Sequence, residues 1–469
     1  MIHWLQTTTG GLLTLAAVSI AVLLVLIIKV KVEPFIALIV VGLLTALAAG
    51  LPVGTLVGTA QKTSDSLLEK GFGSILGHIT AIIGLGTLLG SILEASGGAR
   101  VLTSALLRSF GEKRAPLAMG LSGLIFGIPV FFDIGIFVLA PLVYAAAKQG
   151  GRSIVLYAMP LLAGLSITHA FIPPHPGPVA AAGLLHVDLG WLILMGALCG
   201  IPAWFAGGIL YSTWIGRRVN VPLAEEFARL AGDRSDPENP EDPAGGAPSL
   251  KLVGGIIAIP LVLILAGTFG SILLPRNSGA AGVAAFLGTP AIALTIATLL
   301  ASWLLGHRRG MTGAQLGELS AAALRPVAMI LLVVGAGSFF GAVLSATGIG
   351  QAVAGSLGDA GLPVILAAYV ISCGMRIAQG SATVAIVTTS GIIAPTVAQL
   401  HYSQAQLALV VVAISAGSII ASHVNDGGFW IVSRYFGLTV PDTLKTWTAL
   451  ETVLSVSGFA VAALAMLVV

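Results

Sequence analysis

The chain has 469 residues, of which 57% are hydrophobic and only 9% charged, with a net charge of +3 and a mean hydropathy of +1.02. Soluble domains carry roughly 25% charged residues, so this composition excludes an ordinary water-facing surface and describes a polytopic membrane protein in a lipid bilayer. It also excludes nucleic acid as a partner, because Lys and Arg fall in short clusters between apolar runs and form no single basic face.

Residues 1–10 lack a basic n-region, so the first apolar run is expected to be retained as a membrane helix. Runs 11–28, 34–50 and 73–95 read as spans, with 51–70 as an interfacial connection and a basic loop at Arg100, Arg108, Lys113 and Arg114. The run 116–147 is interrupted by Phe126-Gly-Ile-Pro-Val-Phe-Phe-Asp133, whose Gly and Pro residues around an acid suggest the tip of a re-entrant hairpin. Residues 153–186 form a span broken at Pro173, Pro174, Pro176 and Pro178, and 191–215 is the next span. Residues 219–249 are rich in Pro, Gly and charge, and read as a disordered linker with a short surface helix at 222–230.

The second half repeats this plan. Spans are predicted at 252–274, 286–305, 326–346 and 447–469, an interrupted hairpin at 363–400, and a broken span at 407–437. The stretch 84–97 aligns without gaps with 335–348, matching Gly84, Gly86, Gly90 and Gly97 to Gly335, Gly337, Gly341 and Gly348. No strand precedes either glycine run, so both read as helix-packing glycines and not nucleotide loops. The domains are therefore 1–218 (first repeat), 219–250 (cytoplasmic linker) and 251–469 (second repeat). Placing every basic cluster on the cytoplasmic side requires both hairpins to return to their side of origin. Each half then has five crossings plus one hairpin. That odd number makes the repeats inverted and puts both termini in the periplasm. The predicted fold class is an all-α polytopic membrane protein with broken helices at the midplane, the architecture in which transporters build their sites.

Polar groups at membrane depth are costly and mark function. Asp133, His169, His175, Arg376, His423, Asn425 and Asp426 all fall in or beside interruptions. Asp133 suits a proton acceptor, a substrate-hydroxyl acceptor, an ion-pair partner of Arg376, or a helix cap. Arg376 suits a carboxylate, by its planar fork, or a structural pair with Asp133 or Asp426. Thr168-His169 recurs as Ser422-His423. Imidazoles titrate near neutral pH, so His169 and His175 suit proton coupling as well as core hydrogen bonding; Asp133 and Asp426 are the carboxylate candidates for the same task. Gln379, Ser381 and Thr383 offer amide and hydroxyl contacts. His78 and Glu94 read as interfacial. His169 and His175 are separated by five intervening residues that include prolines, without clustered thiolates, so no metal is expected. The absence of a Walker motif removes ATP as a driver, and no cofactor is expected beyond an ion gradient. An intramembrane enzyme or a passive channel are the competing classes.

Three motifs carry a resemblance: Phe126 to Asp133, Thr168-His-Ala-Phe-Ile-Pro-Pro-His-Pro-Gly-Pro178, and Ser422-His-Val-Asn-Asp-Gly-Gly-Phe-Trp430. Together they resemble the gluconate permease family of bacterial proton symporters, over nearly the whole chain. The resemblance implies an inner-membrane permease that imports a sugar acid with a proton. It also implies a homodimer and an elevator motion of paired hairpins against a scaffold. The family extends to permeases for D-serine and other small hydroxy acids, so the small anionic substrate is left open.

Overall fold

A chain this apolar must satisfy its backbone internally, and helices do so within one segment. The computed structural model describes all residues except 1, 60–65, 223–246, 276–277, 360–362 and 424–425. The expected surface helix of the linker, most of that linker, and Asn425 lie outside the described residues. Among the described residues, nine helices are long and apolar enough to cross a membrane.

The first half runs α1 (Ile2–Thr7), α2 (Thr9–Ile28), α3 (Pro34–Ala48), α4 (Val53–Val57), α5 (Leu67–Ala95), α6 (Gly98–Phe110), α7 (Ala115–Phe126), α8 (Phe132–Gly150), α9 (Val155–Phe171), α10 (Pro176–Leu184) and α11 (Leu189–Trp204). A π-helical segment, Phe205–Tyr211, prolongs α11. The second half runs α12 (Leu250–Leu273), α13 (Gly279–Gly288), α14 (Pro290–Ala301), α15 (Gly313–Ala346), α16 (Ile349–Asp359), α17 (Val364–Gln379), α18 (Ala382–Val397), α19 (Gln404–Ile419) and α20 (Gly427–Tyr435). A single helical turn, Val440–Thr443, then leads to the closing helix α21 (Ala449–Met466). From the third span onward the order of long helix, short helix, helix pair, broken helix and closing helix is the same in both halves.

Two expectations are corrected. The basic stretch after α5 is not a loop but α6, an amphipathic helix that buries Gly98, Ala99, Leu102 and Thr103 at helical spacing while Arg100 and Arg108 stay exposed. The run 286–305 is not one helix. Pro290 opens α14 as an N1 proline after α13 has ended at Gly288, and a π turn and a 3₁₀ turn carry α14 on to Arg309.

The helices form two groups. In one, α5 lies along α15, α3 packs on α15 and α14 on α5, with α2 against α3, and α12 and α13 against α14. In the other, α7 packs on α9, α17 on α19, and α21 on both α19 and α11. The groups meet through glycines. A β-carbon on Gly90 of α5 would stand 2.0 Å from the Pro129 carbonyl oxygen, and one on Gly341 of α15 would stand 2.7 Å from the Gly391 carbonyl oxygen. Only bare backbone permits contacts this close.

Candidate functional site

Four interruptions converge between these two groups. The first is the tip between α7 and α8, residues 127–131. The second is the break between α9 and α10. Ile172, forced extended by the following proline, ends α9, and Pro176 restarts the chain at the first position of α10. The third is the tip between α17 and α18, where Gly380 takes φ +86° and Ser381 caps α18 by accepting from Val384 N at 3.4 Å. The fourth is the break ahead of α20, whose N-cap is Asp426.

Each pair of neighbouring interruptions is tied together. In the first half, His175 Nε2 bonds the Gly127 carbonyl oxygen at 2.6 Å, and its ring lies 4.9 Å from that of His169 and 5.9 Å from that of Phe131. In the second half, Arg376 donates to the Gly380 carbonyl and to the Asp426 carboxylate. Asp426 also accepts from Ser422 Oγ, and from Gly428 N at 2.9 Å. Trp447 joins the halves: it donates to Ser422 Oγ at 2.7 Å and stacks on Phe132 at 5.3 Å.

A cavity of about 630 Å³ opens at this junction. Of the residues singled out from the sequence, Asp133, His169, Arg376, Ser381, Thr383 and Asp426 line it. Asp133, in the first turn of α8, is exposed to it, and no hydrogen bond or ion pair joins Asp133 to a described residue. His169 Nδ1 is buried and unpartnered. Thr168 and His175 are buried outside the lining, and His423, also outside it, engages the Ala421 carbonyl at 2.8 Å. Thr168 donates back to the Gly164 and Leu165 carbonyls, with its oxygen 2.2 Å from where a β-carbon on Gly127 would stand. The Gln379 side chain, like Asn425, is outside the described residues. Of the two partners considered for Arg376, the structure selects Asp426. Among the described residues no cluster of His, Cys, Asp and Glu could hold a metal ion.

One lining residue has no counterpart among the sequence candidates. Glu451, near the start of α21, reaches the cavity, is 2% exposed, and has a buried Oε1 without a hydrogen-bond partner. The signal was present as a lone carboxyl inside an apolar span. No Pro or Gly flags the spot, because the irregularity beside it is a π-helical turn, Leu444–Thr448.

The family model described as GntP family permease matches residues 11–468. The chain belongs to the GntP permease family. It is 42% identical to the inner membrane permease YgbN of Escherichia coli, covering 96% of this chain and 98% of that one. It is 36% identical to the low-affinity gluconate transporter of the same organism, covering 96% and 97%. Among solved structures, the YdaH transporter of Alcanivorax borkumensis superposes with a TM-score of 0.62 at 15% identity, over 92% of this chain and 98% of that one. The last likeness shows the fold alone. This GntP-family chain is thus a multi-pass membrane permease and not an enzyme.

Proposed function

We propose that this permease imports gluconate or a close sugar acid together with a proton, by an elevator-type exchange of access. The observation that carries the reading is the cavity itself. It lies where two helix-pair tips and two helix breaks meet, and it presents a guanidinium, carboxylates and hydroxyls to one volume. A polyhydroxylated acid uses all three, with hydroxyls pairing to Asp133, Ser381 and Thr383 and its carboxylate drawn to Arg376.

The repeated element order supports inverted halves, with α7–α8 and α17–α18 as hairpins that return to their side of entry. The cavity extends to Glu33 and Pro34 at the start of α3 and to Ala322 and Ala323 in α15. These residues neighbour Lys29 and Lys31 and follow the His307–Arg309 cluster. Basic clusters lie inside, so this conformation is open to the cytoplasm, and both termini are periplasmic.

Proteoliposomes test the reading. Labelled gluconate should accumulate when the side of entry is made acidic, and unlabelled sugar acids should compete better than D-serine or short hydroxy acids. Uptake indifferent to an imposed pH gradient would sink the coupling. Preferential competition by D-serine would replace the substrate.

A further inference from the structure

We propose that Glu451 takes up the co-transported proton, and that it does so by competing with the substrate carboxylate for Arg376. This rests on the proton-symport reading above and goes beyond it by naming the group and the device.

Glu451 belongs to the helix that closes the second half, yet its side chain reaches the same cavity as both hairpin tips. Ser166 of α9 stands beside it, and Arg376 and Asp426 are the charged groups close enough to act on it. Asp133 of α8 and His169 of α9 line the same cavity. α19, which packs along α21, carries no ionisable side chain over Gln404–Ile419, and α11 brings only Cys199 to that neighbourhood. A preceding π turn fixes the approach. Thr448 donates to the Ser422 carbonyl and Trp447 to the Ser422 hydroxyl, which locks the π turn leading into α21 onto the break ahead of α20.

Among the described residues Arg376 has unused donor capacity. A guanidinium carries five N–H donors; Gly380 and Asp426 account for two, and Nε is buried without a partner. Glu451 has a matching deficit in its unpartnered Oε1. A buried carboxylate without a partner is strongly disfavoured, so Glu451 has two acceptable states. It is either ionised and drawn to Arg376, or neutral with a proton on its own oxygen. A substrate carboxylate that takes the free donors of Arg376 removes the first state. The proton then comes from water on the side of entry, forms an O–H bond on Glu451, and leaves to the opposite side when the substrate departs. Two like charges that exclude each other at one cation couple proton and anion one to one.

The test uses Glu451→Gln in the full-length protein. One proton per substrate gives about tenfold accumulation per unit of imposed pH gradient, and wild-type proteoliposomes should show it. The Gln variant should lose gradient-driven accumulation of gluconate while still exchanging internal unlabelled for external labelled gluconate. Accumulation that follows the gradient as in wild type overturns the proposal. Where the variant shows neither mode, proton uptake on gluconate binding in weakly buffered detergent decides. None supports Glu451, and the wild-type amount overturns it. Where the Gln variant does not fold, Glu451→Asp replaces it. A displaced pH profile of binding supports the proposal, and an unchanged one overturns it. Failure of the underlying reading is distinguishable, because it shows in the wild type: exchange without response to the gradient removes proton symport, and absence of exchange removes the substrate.

Discussion

Asp133 and Arg376 face the same cavity, yet substitution should act on them in opposite ways. Asp133 has no described partner and points into the cavity, so Asp133→Asn should leave stability within about 0.5 kcal/mol. It should lower gluconate uptake by roughly tenfold or more, the loss expected when a charge-assisted hydrogen bond to substrate disappears. Parallel uptake and thermal unfolding assays check both halves of this statement. Arg376 instead bonds Asp426 with side-chain exposures of 5% and 14%. Arg376→Ala strands a carboxylate that caps α20, and should cost about 3–5 kcal/mol, visible as a lowered unfolding temperature before any transport is measured. Apart from Glu451, the polar residue types singled out for the site were legible in the sequence because each lay beside a Pro or Gly interruption. The roles were less so. Thr168, His175 and Ser422 carry the same hydrogen-bonding groups as cavity residues but turn them toward backbone and neighbouring side chains, and only the packing decides which way a hydroxyl or imidazole faces.

Helices that carry many glycines use them differently along one length. In α5, a β-carbon at Gly77 would meet nothing within 4 Å, whereas at Gly90 it would collide with the backbone of the first tip. Gly77→Ala should therefore stabilise the helix by up to about 1 kcal/mol. Gly90→Ala should cost about 1–3 kcal/mol through overpacking and slow transport, as unfolding curves and initial uptake rates of the pair would show. The elements themselves were readable from apolar length and proline position. Two were not. α6 hides its short buried face among basic residues that read as a loop. The splitting of the span at Pro290 depends on α13 packing beside α12, with Gly267 and Gly288 so close that a β-carbon on Gly288 would stand 2.4 Å from the Gly267 Cα. Such a contact lies between elements and leaves no periodicity in either.

At the scale of the whole molecule, the two glycine contacts are not at the same place. Aligning Pro141 with Pro395, the inner prolines of α8 and α18, sets Gly391 opposite Phe137 and Thr383 opposite Pro129. Gly90 therefore meets its helix pair at the tip, while its counterpart Gly341 meets the other pair eight residues further along, roughly 12 Å at 1.5 Å per residue. Spin labels on α15 and α18 should accordingly report two distances that differ on the order of 10 Å, with gluconate and pH shifting their populations. A single distance under all conditions would show that the groups do not slide. If the groups slide as proposed, exchanging the two registers, Gly90 against Phe137 and Gly341 against Thr383, would generate a mirror conformation of the backbone. The exchange is not exact in side chains, because the glycine–glycine contact of Gly341 with Gly391 becomes a glycine–phenylalanine one. On that proposal the two halves would act as a balance whose pans match in element order but carry different weights. Under the proposed symport, such mismatched positions would set the resting tilt of the chain, and the gradients of anion and proton would supply the push that carries it over.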